Sequence, residues 1–284
     1  MKIYVACHKP VFVPKHPLLV PIQVGAALSE KRFDSMVYDD TGHNISMLNK
    51  SYCELTAQYW AWKNDIADYY GFFHYRRYLS FRIRKKMRPY ILANNPDENL
   101  LDKACYNKSH VLDLISNYDI IAPLSEEMDT SMYDYYQNAA YHHIKDLQLT
   151  GEIIEDIFPD FIPSYNKYIS GTRMYPCNLY IMKRALFYDY CAWLFAILGE
   201  YDNRRGQADY TGEEARVNGY LAERLFGVYY TWLKDNKKVR PLELQRIDFM
   251  LDRTKYLKRK VKYFIVPPNS RRTSLARIIR KRLI

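Results

Sequence analysis

The 284-residue chain has no apolar run long enough to cross a bilayer. Its longest near the middle, Cys191-Ala-Trp-Leu-Phe-Ala-Ile-Leu198, falls far short of the roughly 20 residues a spanning helix needs. Cysteine is sparse: Cys7, Cys53, Cys105, Cys177 and Cys191 are scattered, odd in number and without metal-ligand spacing. That pattern excludes a zinc cluster or a disulfide scaffold and reads as reduced core residues of a cytoplasmic protein. The start lacks the long apolar stretch of a signal peptide; Lys2-Ile-Tyr-Val-Ala-Cys7 is instead a short strand running into His8-Lys-Pro10. There is no internal repeat and no low-complexity linker. Acidic residues are missing altogether from Arg253 to Ile284, where 12 are Lys or Arg.

That last absence changes how the net charge of +10 is read. Removing those 12 from the chain's 42 basic residues leaves 30 against 32 acidic ones in residues 1–252, a net of −2. A near-neutral body with a basic tail does not support a nucleic-acid surface spread over a folded face. The tail suits an anionic membrane surface, at roughly 1 kcal/mol per basic residue near the lipid. Val261-Lys-Tyr-Phe-Ile-Val266 and Leu275-Ala-Arg-Ile-Ile-Arg-Lys-Arg-Leu-Ile284 set apolar groups among the charges, as an interfacial helix does. A solvated terminus is the bland alternative. The expected division is a catalytic-type body over 1–252 and a basic amphipathic tail over 253–284.

What is abundant is tyrosine, 28 in all, which serves an aromatic core or polyhydroxylated ligands equally well. Ile3–Cys7 reads as a central strand and Met36-Val-Tyr38 as a second, running into the turn-rich Asp39-Asp-Thr-Gly-His-Asn44. Ser51 and Glu54 have capping-box spacing at the start of a helix that carries Leu55, Tyr59 and Trp62 inward and ends near Asn64. Residues 82–109, broken by Pro89 and Pro96, are expected to hold little regular structure. A last helix runs from near Gly212 to about Lys234 with Val217, Leu221, Leu225, Val228 and Trp232 inward. Strand–helix alternation predicts an α/β domain with a mostly parallel central sheet.

The most informative segment is Tyr70-Gly-Phe-Phe-His-Tyr-Arg-Arg-Tyr-Leu79. It reads as a buried strand that delivers an imidazole and two guanidinium groups at its end. Alternation puts His74 and Arg76 on one face and Arg77 on the other. Fixed positive charge at a buried strand end is costly unless a phosphate, diphosphate or carboxylate meets it. Ordinary ion pairs with Asp65 or Asp68 are the rival reading. His8, Asp39, Asp40, His74, Arg76 and Arg77 all fall at or just beyond predicted strand ends, where open α/β sheets bind ligands.

Several of these segments together resemble one family: Lys2–His8, Asp39–Ser46, Tyr52–Asn64, His74–Tyr78, Cys177-Asn178 and Gly219–Leu225. It is a family first described as a domain of unknown function, which includes bacterial capsular and exopolysaccharide glycosyltransferases, galactofuranosyltransferases among them. The likeness spans roughly residues 1–235. It implies a nucleotide-sugar transferase with a single Rossmann-related, GT-A-like domain. Ala6 to His8 and Asp39 to Asn44 would then hold the donor, with His74, Arg76 and Arg77 on its diphosphate. Where that class carries an acid–x–acid metal motif this chain has His74-Tyr-Arg-Arg77, so guanidinium groups are expected to take over much of the role of a divalent Mg or Mn ion. Asp39 and Asp40 are the carboxylates that can bind a metal, if any does.

Glu213 or Glu214, at the start of the last helix, is the expected base for the acceptor hydroxyl, although acids there also offset the helix dipole. Asn178 and Glu223 are candidates for acceptor contact; an ion pair with Arg216 or Arg224 competes for Glu223. The predicted partners are a nucleotide-sugar donor, such as UDP-galactofuranose or another UDP-hexose, and a lipid-linked oligosaccharide acceptor. The predicted location is the inner face of the cell membrane. A phosphotransferase or sugar-phosphate transferase using the same cationic strand end, and a noncatalytic nucleic-acid binder working through the tail, are the alternatives.

Overall fold

A computed structural model of the chain describes residues 1–206, 210–236, 238–270 and 272–273. From the N-terminus, β1 (Lys2–Cys7), β2 (Leu19–Gln23) and β3 (Val37–Tyr38) precede two helices, α1 (Asn49–Tyr52) and α2 (Leu55–Asn64). β4 (Tyr69–His74), β5 (Arg77–Leu79), β6 (Tyr90–Ala93), α3 (Glu98–Lys103), α4 (Lys108–Ser116), β7 (Ile120–Pro123) and β8 (Glu126–Glu127) follow. A helical stretch of α5 (Met132–Asn138), α6 (Ile144–Ile157) and α7 (Ile162–Ser170) leads to β9 (Arg173–Met174), β10 (Tyr180–Lys183) and α8 (Arg184–Arg204). The last elements are α9 (Val217–Asp235), β11 (Pro241–Leu244), β12 (Arg246–Phe249) and α10 (Arg253–Ile265).

The main sheet has the order β11-β7-β10-β4-β1-β2-β3, with β5, β6 and β12 branching from β4. β1 pairs in parallel with both β2 and β4, and β2 with β3. β10 runs antiparallel between β4 and β7, so the sheet is mixed: its N-terminal half is parallel as expected. Alternation along β1 feeds two cores. Tyr4 and Ala6 join the large aromatic core under α2 and α5–α9, while Ile3, Val5 and Cys7 join the smaller one beneath α3 and α4. Much of the tyrosine goes to the first core: Tyr70, Tyr180, Tyr190, Tyr201 and Tyr230 are fully buried there.

Four local expectations change. The segment 70–79 is a hairpin, because the chain turns at Tyr75-Arg76 and β5 folds back antiparallel with Arg77 opposite His74. The helix expected from Ser51 is broken at Cys53, which takes φ 51° and ψ −128°, and Glu54 makes no capping bond. Residues 82–109 carry β6, α3 and the start of α4; β6 forms because β12, over 150 residues later, supplies its parallel partner. The stretch Tyr175–Met182, strand-like in its residues, forms a strand only from Tyr180, since Cys177 and Asn178 adopt φ values of 77° and 48°.

The aromatic core is tight where α7 meets α9. A Cβ built at Gly227 would lie 2.0 Å from Cζ of the buried Tyr168 ring. Gly227→Ala is therefore expected to destabilise the fold by about 1–3 kcal/mol through overpacking, read as a lower midpoint in urea unfolding, whereas Gly199→Ala, with nothing near its Cβ position, should not.

Candidate functional site

The chain leaves β1 for β2 and β3 on one side and returns to β4 on the other side of β1. That reversal opens a crevice at the carboxyl ends of β1 and β4, where doubly wound sheets bind ligands. The register pairs Ala6 with His74, so the residues just beyond, His8 and Tyr75-Arg76, emerge side by side. The His8 and His74 rings lie 6.0 Å apart, and His8 meets the Tyr75 ring edge-on at 5.2 Å.

The hairpin turn orients this group. The Arg76 backbone N–H donates to His74 Nδ1 at 3.2 Å, which leaves the ring proton on Nε2 as a hydrogen-bond donor. Burial, then the charges of Arg77 and Arg76, push the His74 pKa down to about 2. His8 is lowered as well, by burial and then by Arg76. Both imidazoles are neutral, and the fixed charge is carried by guanidinium and ammonium groups. The Arg76 side chain is exposed, 5.5 Å from the centre of the Tyr75 ring, and among the described residues no carboxylate pairs with it.

The lead-in to α9 supplies the facing wall. Gly212, in the left-handed region at φ 57°, precedes a 3-10 turn over Glu214–Arg216. Arg216 Nη1 donates to Glu213 Oε2 at 2.7 Å and its Nε reaches Cys53 Sγ at 3.5 Å. Together these elements enclose a cleft of about 760 Å³ walled by Ala6, His8, His74, Arg76, Glu54 and Arg216, with Lys9, Lys50 and Glu213 also on it. Four fixed cations against one ion-paired glutamate and one recessed carboxyl make this an anion-binding cleft.

Glu54 is the recessed carboxyl. It opens α2 immediately after the Cys53 break, and Asn178 Nδ2 donates to its Oε1 at 3.0 Å. Burial, and secondarily the nearby Glu223 carboxylate, raise its pKa despite the Asn178 bond. The Ser51–Glu54 spacing suggested a cap and concealed this role. Arg216, whose spacing points only to a pairing with Glu223, likewise stands on the cleft wall. The signal that could have found both is their lying in two segments of the family resemblance's neighbourhood, Tyr52–Asn64 and the approach to Gly219–Leu225.

Of the other predicted residues, Ala6, His8, His74, Arg76 and Glu213 reach the cleft and the rest do not. Asp39 is a correction: it is fully buried, and its carboxylate accepts from the Gly25 and Ala26 N–H groups at 2.8 and 2.9 Å and from Ser46 Oγ at 2.5 Å, so it frames the loop after β2. Asp40 pairs with Arg32 at 2.6 Å, and Asn44 Nδ2 donates to the Asp40 and Gly42 carbonyls. This loop follows β3, two strands from β1 and thus roughly 10 Å across the sheet. Arg77 does not line the cleft, and its charge is favoured first by Cys177 and then by Asp248, opposite it in the register, and by Glu223. Glu214 lies 3.4 Å from His143. Glu223 pairs with the buried Arg224 at 3.2 Å, and Asn178 is buried behind Glu54. Among the described residues no group of three or more His, Cys, Asp or Glu side chains could hold a metal ion.

The family described as "Domain of unknown function (DUF4422)" matches residues 2–237. Among solved structures, the apo structure of the WbbM bifunctional glycosyltransferase is similar to this chain with a TM-score of 0.82 and 33% identity. The likeness covers 87% of this chain and 45% of that one, so the chain spans less than half of WbbM's length. No curated protein sequence matches. At that level of similarity the α/β, GT-A-like Rossmann-related fold is shared.

The depressed His74 pKa has a consequence for stability. The unfolded chain takes a proton on this residue below its ordinary pKa of about 6.5, while the folded protein refuses it until about pH 2. Stability is therefore whole above pH 6.5 and falls below it, by at most about 1.4 kcal/mol per pH unit from this group. Urea unfolding at pH 7.5 and 5.0 should show a smaller loss on acidification for His74→Gln than for the parent; equal losses would contradict it.

Proposed function

We propose, from the premise that the chain belongs to the DUF4422 family, that it is a glycosyltransferase. It moves a hexose from a nucleotide-diphosphate donor, UDP-galactofuranose or another UDP-hexose, to a hydroxyl of a lipid-linked capsular or exopolysaccharide acceptor. WbbM is a bifunctional glycosyltransferase, and on this reading the chain carries an activity of the same class in a single sheet domain.

The observation that carries the reading is the cationic cleft at the ends of β1 and β4, with Arg76 in it and paired to no carboxylate among the described residues. As the bond from the anomeric carbon to the diphosphate breaks, negative charge grows on the leaving nucleotide. Guanidinium groups offer paired N–H donors to phosphate oxygens and hold their charge at any working pH. Arg76 and Arg216 both line the cleft and on this reading take that task, with the His74 Nε2–H as a neutral donor on the same wall. Arg77 contributes through His74, which burial first and then the charges of Arg77 and Arg76 keep neutral. A divalent cation does not fit this donor set: the strand end that would carry paired acids carries His74 and Arg76, and Asp39 is spent on backbone amides.

Titration with UDP in the presence of EDTA tests the grip directly. The parent protein should bind, and Arg76→Ala should weaken binding by about 10- to 100-fold, the worth of a charge-assisted hydrogen bond at roughly 1.5–3 kcal/mol. Binding that requires added Mg or Mn, or that survives Arg76→Ala unchanged, would refute the role.

The lipid-linked acceptor calls for a membrane contact, and α10 supports one. Tyr263 Oη donates to the Tyr90 carbonyl at 2.6 Å and Arg259 stands 3.6 Å from Asp248, so one face of the helix rests on the body. At about 100° per residue, Leu257, Val261, Phe264 and Ile265 form a stripe on the far side, and Phe264 is 78% exposed. Lys258 and Lys262 flank it on one edge, Arg253 and Lys260 on the other. Apolar groups between rows of basic ones suit an anionic interface. No helix among the described residues is long and apolar enough to cross a membrane. The second basic segment, Leu275–Ile284, lies outside the described residues. On this reading the protein works in the cytoplasm at the inner face of the membrane. Sedimentation with phosphatidylglycerol-containing vesicles should carry the protein down, and the Leu257→Asp/Val261→Asp/Phe264→Asp variant should stay in the supernatant; equal sedimentation of the two would exclude α10 as the anchor.

A further inference from the structure

We propose that Glu54 is the general base that takes the proton from the acceptor hydroxyl. The assignment rests on the glycosyltransferase reading above and gives it the group that the two glutamates before α9 do not supply. Glu213 is more than half exposed and ion-paired to Arg216. Glu214 faces His143 and does not line the cleft. Glu223 is committed to the buried Arg224.

Among the described residues, Glu54 is the cleft carboxyl whose hydrogen bonds come from neutral donors, Asn178 and its own backbone N–H. Asn178 Nδ2 holds Oε1 at 3.0 Å, and among the described residues no lysine or arginine forms an ion pair with the carboxylate. The Asn178 side chain is itself buried, with its Oδ1 unpartnered, so it has no other task visible among the described residues than to hold Glu54.

The backbone shows the same commitment. Cys53, immediately before Glu54, sits at φ 51° and ψ −128°, a conformation that residues with a Cβ rarely adopt and that persists only when its surroundings enforce it. They do so here from two sides. The Cys53 N–H donates to the Asn49 carbonyl at 2.8 Å, while Asn49 Nδ2 donates to the Cys53 carbonyl at 2.7 Å. On α9, Gly219 leaves room for the thiol: a Cβ there would stand 3.0 Å from Cys53 Sγ. The break tips Glu54 out of a continuous α1–α2 helix and into the crevice. The groups facing it are Glu223, Arg216 and Cys53, with His8, His74 and Arg76 on the cleft walls. Burial and Glu223 both favour its protonated form, which brings a carboxyl towards the range where a base works best near neutrality.

The step balances as a single displacement. The acceptor oxygen forms a bond to the anomeric carbon while its proton passes to Glu54. The bond from that carbon to the diphosphate oxygen breaks, its electron pair stays on the diphosphate, and Arg76 and Arg216 meet the new charge. One displacement inverts the anomeric configuration.

The test measures UDP release from a panel of UDP-hexoses with a lipid-linked glycan extract as acceptor, in the full chain and in Glu54→Gln. The glutamine keeps the shape and the Asn178 contact, so UDP affinity should stay within about twofold while the transfer rate falls by about 100-fold or more. In the parent the rate should drop on the acid side with an apparent pKa above the ordinary glutamate value of about 4.3, with circular dichroism verifying the fold at each pH; that limb decides the matter even if Glu54→Gln fails to fold. A rate in Glu54→Gln within about fivefold of the parent's, far short of the loss a general base implies, would overturn Glu54 as the base. So would a parent rate that is flat down to about pH 4.5. Product of retained configuration would do the same. If the parent releases UDP from none of the donors, it is the glycosyltransferase reading that falls, whatever Glu54 does.

Discussion

The parallel register that sets Ala6 opposite His74 is the constraint on which the site depends. It brings two strand ends to the same height, so that His8-Lys9 and Tyr75-Arg76 converge instead of passing each other. Like charges gathered against a low-dielectric sheet edge repel, and the chain relieves that strain by keeping both imidazoles neutral. What remains positive cannot titrate near neutrality. The cleft therefore offers an anion the same fixed guanidinium charge across the working pH range, with imidazole N–H groups adding direction without charge.

Much of this frame is legible in the residues. The dense apolar run at Ile3–Cys7 forms β1 where local periodicity puts it, whereas the aromatic strand stops at His74, short of the expected Leu79, and the apolar stripe near Gly212 to Lys234 becomes α-helical only from Val217. The alternation expected along one strand stops at His74, because the hairpin sets Arg77 directly opposite it; His74 and Arg76 line the cleft and Arg77 does not. The hairpin at Tyr75-Arg76 is not legible, since Tyr and Arg carry no turn signal and β5 is fixed by β12, whose residues come about 170 positions later. Asp39 misleads in the opposite sense. An acidic pair after a strand suggests a ligand site, yet the amides of Gly25 and Ala26 claim the first carboxylate. Glu54 is the clearest case: Ser51 and Glu54 have the spacing of a cap, and the contacts that cancel it come from Asn178 and Gly219, far along the chain.

The chain also uses buried charge to hold its parts in place behind the cleft. Arg246, almost fully buried, pairs with Asp248 at 2.6 Å and with Glu126 at 2.8 Å; Asp248 stands opposite Arg77 in the β12–β5 register and 3.6 Å from Arg259 of α10. Such pairs rarely add net stability over apolar packing, because desolvation cancels most of the attraction. Their effect is on which arrangement is tolerated. Slipping β12 by one residue against β5 would carry Arg246 and Asp248 together to the other face of the sheet, taking Asp248 away from Arg77 and Arg246 away from Glu126. The register of β5, and through the hairpin the pose of His74 and Arg76, is then selected by the cost of the alternatives. Since α10 closes the same network through Arg259, the helix that carries the exposed apolar stripe and the strand end that carries the cationic site are held by one shared carboxylate.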